Sequence, residues 1–362
     1  MAKQTLTQAK KAKNDEFYTQ LADIQNEMNA YLDYNPDVFR NKTILLPCDD
    51  PEWSNFTLFF AQNFERFGLK KLISTSYAPE SKKIKTWQPT LFETGSPQFD
   101  ADKSKTNGKI FILERDLNAD GLVDHKDIQW EYLQGDGDFD SDEVRKFRDE
   151  ADIIITNPPF SLFRKFITWI MEANKQFAII GHQNAIIYKE VFPLIKGNKV
   201  WLGKGFKGGA GHFISSYTDY ATAGNHIKGM IRVSGVIWLT NLEHGRRHEM
   251  LSLMKTSDIF KYSKHKELKG QTNFLHYEDY NAIDIRFTDS IPDDYLGIMG
   301  VPITFMDKYN PNQFEIMDCC EPCISLKNIK NTGVYKEIPS RQKIHNGILC
   351  QKTYHRILIR KK

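Results

Sequence analysis

One short run restricts the possible folds of this chain more than any other. ADIIITN (151–157) is an apolar stretch of strand length, and it stops on Asn157, Pro158, Pro159 and Phe160. SLFRKFITWIMEANK (161–175) follows with helical spacing of its apolar residues, and QFAIIGHQN (176–184) reads as another strand. Strand, helix and strand in that order favour parallel pairing, because the helix carries the chain back to the starting edge of the sheet. The same rhythm occurs earlier. KTILLPCDD (42–50) is a buried strand ending in acids, SNFTLFFAQNFERFG (54–68) is a helix with Ser54 as N-cap and Gly68 as stop, and LKKLISTSY (69–77) is a strand. Together these units predict a doubly wound parallel α/β sheet, in which ligands bind at the C-terminal ends of the strands.

The rest of the chain is arranged around that sheet. Residues 3–13 hold four lysines and form a basic arm, and a helix is expected from Phe17 to Leu32. Residues 78–108 read as a polar insertion, with GKIFIL (108–113) and IQWEYLQ (128–134) as strands. Beyond Gly203 the rhythm gives way to short aromatic and β-branched segments such as HFISSYTDY and GVIWLTNL. Two domains are therefore expected, 1–204 and a smaller mixed one over 205–362.

Charge and cysteine usage narrow the setting. Residues 1–200 carry 26 Lys and Arg against 30 Asp and Glu, whereas residues 201–362 carry 23 against 16 and eight of the ten histidines. A basic C-terminal half suits a polyanion such as nucleic acid, although a solvated basic surface has the same composition. The five cysteines are odd in number and unevenly spaced, as expected of free thiols in a reducing compartment. CCEPC (319–323) with His345 and Cys350 lacks the second close pair of a zinc site, so no metal is expected. No run approaches the roughly 18 apolar residues of a membrane span, and the first residues hold no secretory signal, so the cytoplasm is the expected location.

The Asn-Pro-Pro-Phe corner has a chemistry of its own. Asn157 offers a side-chain carbonyl and Pro158 a main-chain carbonyl, while the two prolines fix φ and remove two N–H groups. Such an acceptor-rich ledge fits a substrate with two hydrogens on one nitrogen, an exocyclic amine or an amide. Phe160 can stack on a planar ring. Two acceptors gripping both hydrogens would aim the nitrogen lone pair at an electrophile, so that positioning replaces a strong base.

TNPPFSLFR (156–164) resembles the catalytic segment of S-adenosylmethionine-dependent amino methyltransferases, and among them the adenine-specific DNA methyltransferases of the EcoRI modification type. KNDEFYTQ (13–20), CDDPEWSNF (48–56), FGLKKLI (67–73), GDGDF (135–139), YKEVF (188–192), WLTNL (238–242), MGVPITF (299–305), KYNPNQFE (308–315) and YHRILI (354–359) resemble blocks of that family in its order. The resemblance implies a Rossmann-like methyltransferase sheet with a target-recognition region behind it. It also implies methyl transfer from S-adenosylmethionine to the N6 amine of an adenine rotated out of double-stranded DNA.

Roles follow by position. Asn157 to Phe160 would be catalytic; Phe17, Tyr18 and Thr19 would line the methionine end of the cofactor, as would Asn157. Cys48, Asp49 and Asp50 would meet its amino-acid and ribose parts, Asp138 its adenine amine and Phe139 its ring. A monomer in a bacterial or phage restriction-modification setting is implied, sharing a DNA site with any cognate endonuclease. The glycine-rich turn of broader methyltransferases is replaced by CDDPEWSN, and Ser76-Tyr77 stands where an acid usually holds the ribose. Guanine amine in ribosomal RNA, glutamine amide in protein, and an inactive nucleic-acid-binding relative are the other readings of the corner.

Three further segments carry expectations. GKGFKGG (203–209) spells GxGxxG but precedes a strand, so it reads as a mobile junction loop in which Lys204 and Lys207 approach DNA. Arg246 and Arg247 in EHGRRHE are candidates for phosphate or guanine contacts. DLNADGLVDHKD (116–127) has the spacing of a calcium loop, but strand-like flanks and a final Asp favour a polar turn.

Overall fold

The computed structural model describes residues 18–49, 54–78, 91–116, 123, 127–206, 209–214 and 230–362. They fall into two compact units, residues 1–184 with 200–244, and residues 185–199 with 245–362. Val236–Thr240 is almost wholly apolar, with Val236, Trp238 and Leu239 buried, and such a strand needs cover on both faces. It finds that cover inside the first unit.

The first unit contains β1 (Tyr18–Thr19), β2 (Thr43–Leu46), β3 (Lys71–Ser76), β4 (Lys109–Leu113), β5 (Gln129–Tyr132), β6 (Ile153–Thr156), β7 (Gln176–His182), β8 (Trp201–Leu202), β9 (Ala210–Ile214), β10 (Met230–Ser234) and β11 (Val236–Thr240). Eight of these form one sheet in the order β5-β4-β3-β2-β6-β7-β11-β8. Pairing is parallel from β3 through β2 and β6 to β7, with Leu46 opposite Ser74 and Ile153 opposite both Ile44 and Gln176. The flanks differ from the expected all-parallel sheet. β4 and β5 on one side, and β11 and β8 on the other, pair antiparallel. Between β3 and β4 the described residues hold the four-residue helices Leu91–Thr94 and Lys103–Thr106.

The central strands read as expected because their side chains are buried on both faces. The helix Asn55–Gln62 starts at Ser54, whose side chain accepts from Phe56 N (3.1 Å), and a second turn, Phe64–Phe67, ends at Gly68 with φ 61°. The first helix is Leu21–Tyr34 and not 17–32, since residues 18–19 are taken by β1. Phe39, Phe59, Phe60 and Phe67 pack edge-on and tilted at 5.2–5.8 Å between centroids, filling the space between helix and sheet. β1 and β10 flank β9 in a small antiparallel sheet, with Thr19 opposite Phe213.

GKGFKGG is not loose where it is described. Glu27, fully buried, accepts from Lys204 N and Gly205 N (2.9 Å each) and from the Tyr31 hydroxyl (2.6 Å). A Cβ on Gly203 would lie within the Glu27 carboxylate, so glycine is required there. Burial, and then the Glu27 charge, push the Tyr31 hydroxyl well above its ordinary pKa, which keeps it a donor.

The second unit adds β12 (Ala282–Asp284), β13 (Ile298–Pro302), β14 (Phe314–Cys320), β15 (Cys323–Ser325), β16 (Gln342–His345), β17 (Ile348–Lys352) and β18 (Arg356–Lys361). They make a sheet β12-β13-β18-β14 and a smaller sheet β15-β17-β16. Asp284 sits at the centre of this unit and accepts from the hydroxyls of Tyr277 and Tyr335 (2.7 Å each) and from Arg356 Nε (3.3 Å). Cys350 Sγ donates to Cys323 Sγ at 2.7 Å, and both thiols are buried. Burial raises the Cys319 and Cys320 thiols to about 12 and about 11, which disfavours the thiolate a metal needs. Among the described residues no group of three or more His, Cys, Asp or Glu could hold a metal ion.

Candidate active site

The C-terminal ends of β2, β3 and β6 share one edge of the sheet, and the chain segments singled out by sequence meet there. β6 ends in Thr156, and Asn157 is half-buried at the rim with Phe160 behind it, 7% exposed in the apolar core. Pro159 O accepts from Leu162 N (2.9 Å), so the corner closes into a turn before the helix Phe163–Glu172. The prolines can offer only carbonyls here, and the helix that follows fixes where they point.

Beside this corner lies Asp49, at the exit of β2. Its carboxylate is 6% exposed and accepts from the Ser54 hydroxyl (2.6 Å) on one oxygen and the Thr156 hydroxyl (2.6 Å) on the other. Ser54 and Thr156 are each followed by an asparagine, and both asparagines turn to Thr19. Asn55 Nδ2 donates to Thr19 O (2.8 Å), and Asn157 Nδ2 donates to Thr19 Oγ1 (3.3 Å). The result is a closed circuit with Asp49 at one pole and Thr19 at the other. Ser74 Oγ also bonds Asp49 O, and Asp49 N donates to Thr75 O (3.0 Å), which ties the circuit to β3.

GDGDF (135–139) lies against the end of β3. Ala78 N donates to Asp136 O (2.7 Å), and a Cβ on Gly137 would meet Ser76 O at 2.3 Å. Gly137 also has φ 81°, so both space and backbone demand glycine. Asp138, half-buried, accepts from Asp140 N (2.9 Å). Phe139 packs edge-on to Phe166 (5.0 Å) and Trp169 (5.5 Å), with Lys165 Nζ 5.2 Å above its ring. Lys165 pairs with Asp140 at 2.8 Å. The bond from Lys165, and after it that from Arg145, hold the Asp140 carboxyl below the usual carboxylate range.

The structure thus brings Thr19, Asp49 and Asn157 together and places Asp138 and Phe139 along the same edge, with Cys48 half-buried next to Asp49. Phe17, Asp50 and Lys207 lie outside the described residues, as do the calcium-like loop between 117 and 126, apart from Val123, and the basic arm. Lys204 is exposed on the segment that Glu27 holds. Arg246 and Arg247 belong to the second unit. Arg247, 6% exposed, bonds the Asn198 side chain and is not presented outward, whereas Arg246 pairs with Asp307. Asp307 and Lys308 also line a cleft of about 440 Å³ with His265, Arg286, Phe287 and Asp289. In it the His265 and Phe287 rings stack at 3.5 Å between centroids.

Sequence reasoning missed Asn55 and Thr156 as site residues. A weak signal existed for Asn55, a second polar residue at the start of an otherwise apolar helix.

A parallel strand ending in an acceptor-rich corner, with acids and hydroxyls along the same edge, lies where open α/β sheets bind their ligands. The family model described as adenine-specific methyltransferase EcoRI matches residues 5–362, and the chain belongs to that family. It is a site-specific DNA adenine methyltransferase of the restriction-modification kind. Among its relatives, the type II methyltransferase M.EcoRI of Escherichia coli is 39% identical over 320 residues, covering 86% of this chain and 88% of that one. M.MgeORF184P of Mycoplasma genitalium and M.MpnI of Mycoplasma pneumoniae are each 32% identical, covering 98% of this chain and 97% of theirs. No solved structure matches the chain.

Proposed function

We propose that this enzyme methylates the N6 amine of an adenine rotated out of duplex DNA, with S-adenosylmethionine as donor, and that Asn157 to Phe160 form the catalytic corner. The observation that carries this reading is the position of half-buried Asn157, followed by Pro158, at the C-terminal end of a buried parallel strand, on the edge that also holds Asp49 and Asp138. Asn157 Oδ1 and the Pro158 carbonyl would accept the two amine hydrogens, and the Phe160 ring would be the face on which the base stacks. Holding both hydrogens turns the amine lone pair toward the methyl group without a strong base.

The edge fits the proposed cofactor by its donor set. The carboxylates of Asp49, Asp136 and Asp138 on this edge suit a ligand with an ammonium, a sulfonium and a diol. S-adenosylmethionine, when bound, supplies a methyl group made electrophilic by the sulfonium. Asp138 would take the adenine amine of the cofactor. Phe139 would close the adenine side through its packing with Phe166 and Trp169.

The second unit and the Lys204 segment are proposed to hold the DNA, with Lys204 and Arg246 as phosphate contacts. The enzyme would act as a monomer in the bacterial cytoplasm, linked to any endonuclease only through a shared site. No helix among the described residues is long and apolar enough to cross a membrane.

Incubation of the purified protein with methyl-labelled S-adenosylmethionine and a panel of plasmid DNAs tests the reading. Label is expected in N6-methyladenine at one sequence. No label in adenine across the panel would overturn it, and label in ribosomal RNA would move the substrate to guanine.

A further inference from the structure

We propose that Thr19 is a positioning residue whose hydroxyl holds the Asn157 carboxamide in its reactive orientation. The inference rests on the proposed role of Asn157 as acceptor of the target amine.

An asparagine side chain presents a carbonyl on one side and an amino group on the other, and its terminal torsion is broad and nearly two-fold. Only one orientation serves here. A target amine brings two donors, so the carbonyl must face it and the amino group must face inward. An inward amino group next to apolar atoms would be an orphaned donor, and the reactive orientation would then lose population.

Thr19 removes that conflict. Its hydroxyl oxygen lies 3.3 Å from Asn157 Nδ2 and accepts from it, although the residues are 138 positions apart. Thr19 is 3% exposed, which leaves little access for water to take its place. The backbone that carries the hydroxyl is fixed from two sides. Asn55 Nδ2 grips Thr19 O (2.8 Å) and β9 pairs with Thr19 through Phe213, while Asp49 joins Ser54 to Thr156 across the other pole of the circuit. The two asparagines are thus each one residue from a hydroxyl anchored on the same carboxylate.

Thr19→Val keeps the shape and removes the acceptor, while Thr19→Ser keeps the acceptor. In the full-length enzyme, Thr19→Val is expected to lower the single-turnover rate of methyl transfer about 10- to 100-fold. The dissociation constants for S-adenosylmethionine and for cognate DNA should stay within about 3-fold, and Thr19→Ser should stay within about 3-fold of the wild-type rate. A wild-type rate in Thr19→Val overturns the proposal. So does a rate loss matched by weaker cofactor binding, which makes Thr19 a cofactor ligand, or a serine variant as slow as valine, which makes the role one of shape. Asn157→Ala serves as the control on the underlying reading. If it keeps the wild-type rate, Asn157 is not the acceptor and both ideas fall; if it is inactive while Thr19→Val is unaffected, only the present one does.

Discussion

At the scale of single residues, Asp49 shows how a carboxylate at a site can act as a strut. Both its oxygens take hydroxyl donors, from Ser54 and Thr156, at 2.6 Å in a setting 6% exposed. Replacing it by alanine strands two buried hydroxyls, and a buried polar group without its partner costs about 1–3 kcal/mol. Asp49→Ala is therefore expected to destabilise the first unit by about 2–5 kcal/mol, measured by urea denaturation, whereas Ser54→Ala, a lost N-cap, costs about 1 kcal/mol. A result in which the two variants are equal would remove Asp49 from its central place. Asn157→Ala, by contrast, is expected to leave folding and cofactor affinity within a few-fold while methyl transfer falls below detection, since its side chain lies half-exposed at the rim.

At the scale of elements, two glycines of one segment make opposite demands. Gly137 has φ 81° and no room for a Cβ against Ser76 O, while a Cβ on Gly135 would come no nearer than 4.0 Å to the Glu143 carboxylate. Gly137→Ala should cost about 2–3 kcal/mol and Gly135→Ala less than about 1, both read from thermal melts. The junction of this segment with the helix after Phe160 depends on pH. Asp140 is held below its ordinary range by Lys165 first and Arg145 second. A depressed carboxylate adds stability above its unfolded pKa, near 4, and that stability is lost as pH falls through the folded value. With the Asp140 side chain 23% exposed, Asp140→Asn should cost roughly 0.5–1 kcal/mol at pH 7, and the gap from wild type should close below about pH 4. A gap unchanged between pH 7 and pH 3 would remove the ion pair as its cause.

At the scale of the whole molecule, each compact unit has its own core and its own buried polar centre. In the second unit the Asp284–Arg356 pair has side chains 1% and 7% exposed and is completed by two tyrosines. Burial, and then the Asp284 charge, raise Tyr277 and Tyr335, so both remain donors over the ordinary pH range. Arg356→Met leaves Asp284 without its cation and should destabilise this unit by about 3–5 kcal/mol. Hydrogen exchange should then rise in residues 245–362 while β2, β3 and β6 keep their protection. Equal loss in both units would show that they unfold as one.

Local sequence by itself determined the strand, rigid corner and helix around Asn157, the Ser54 cap and the Gly68 stop, because each depends on residues within a few positions of one another. It also carried the family, since the blocks occur in order along nearly the whole chain. Only the tertiary structure decided which way the flanking strands run, where the first unit ends, and that Arg247 is buried. The circuit of Thr19, Asn55, Asp49, Thr156 and Asn157 belongs to the same class. Its bonds join residues as far as 138 positions apart, and hydrogen bonds over such distances leave no periodicity in the sequence, only a scatter of small polar residues that a turn or cap would equally explain.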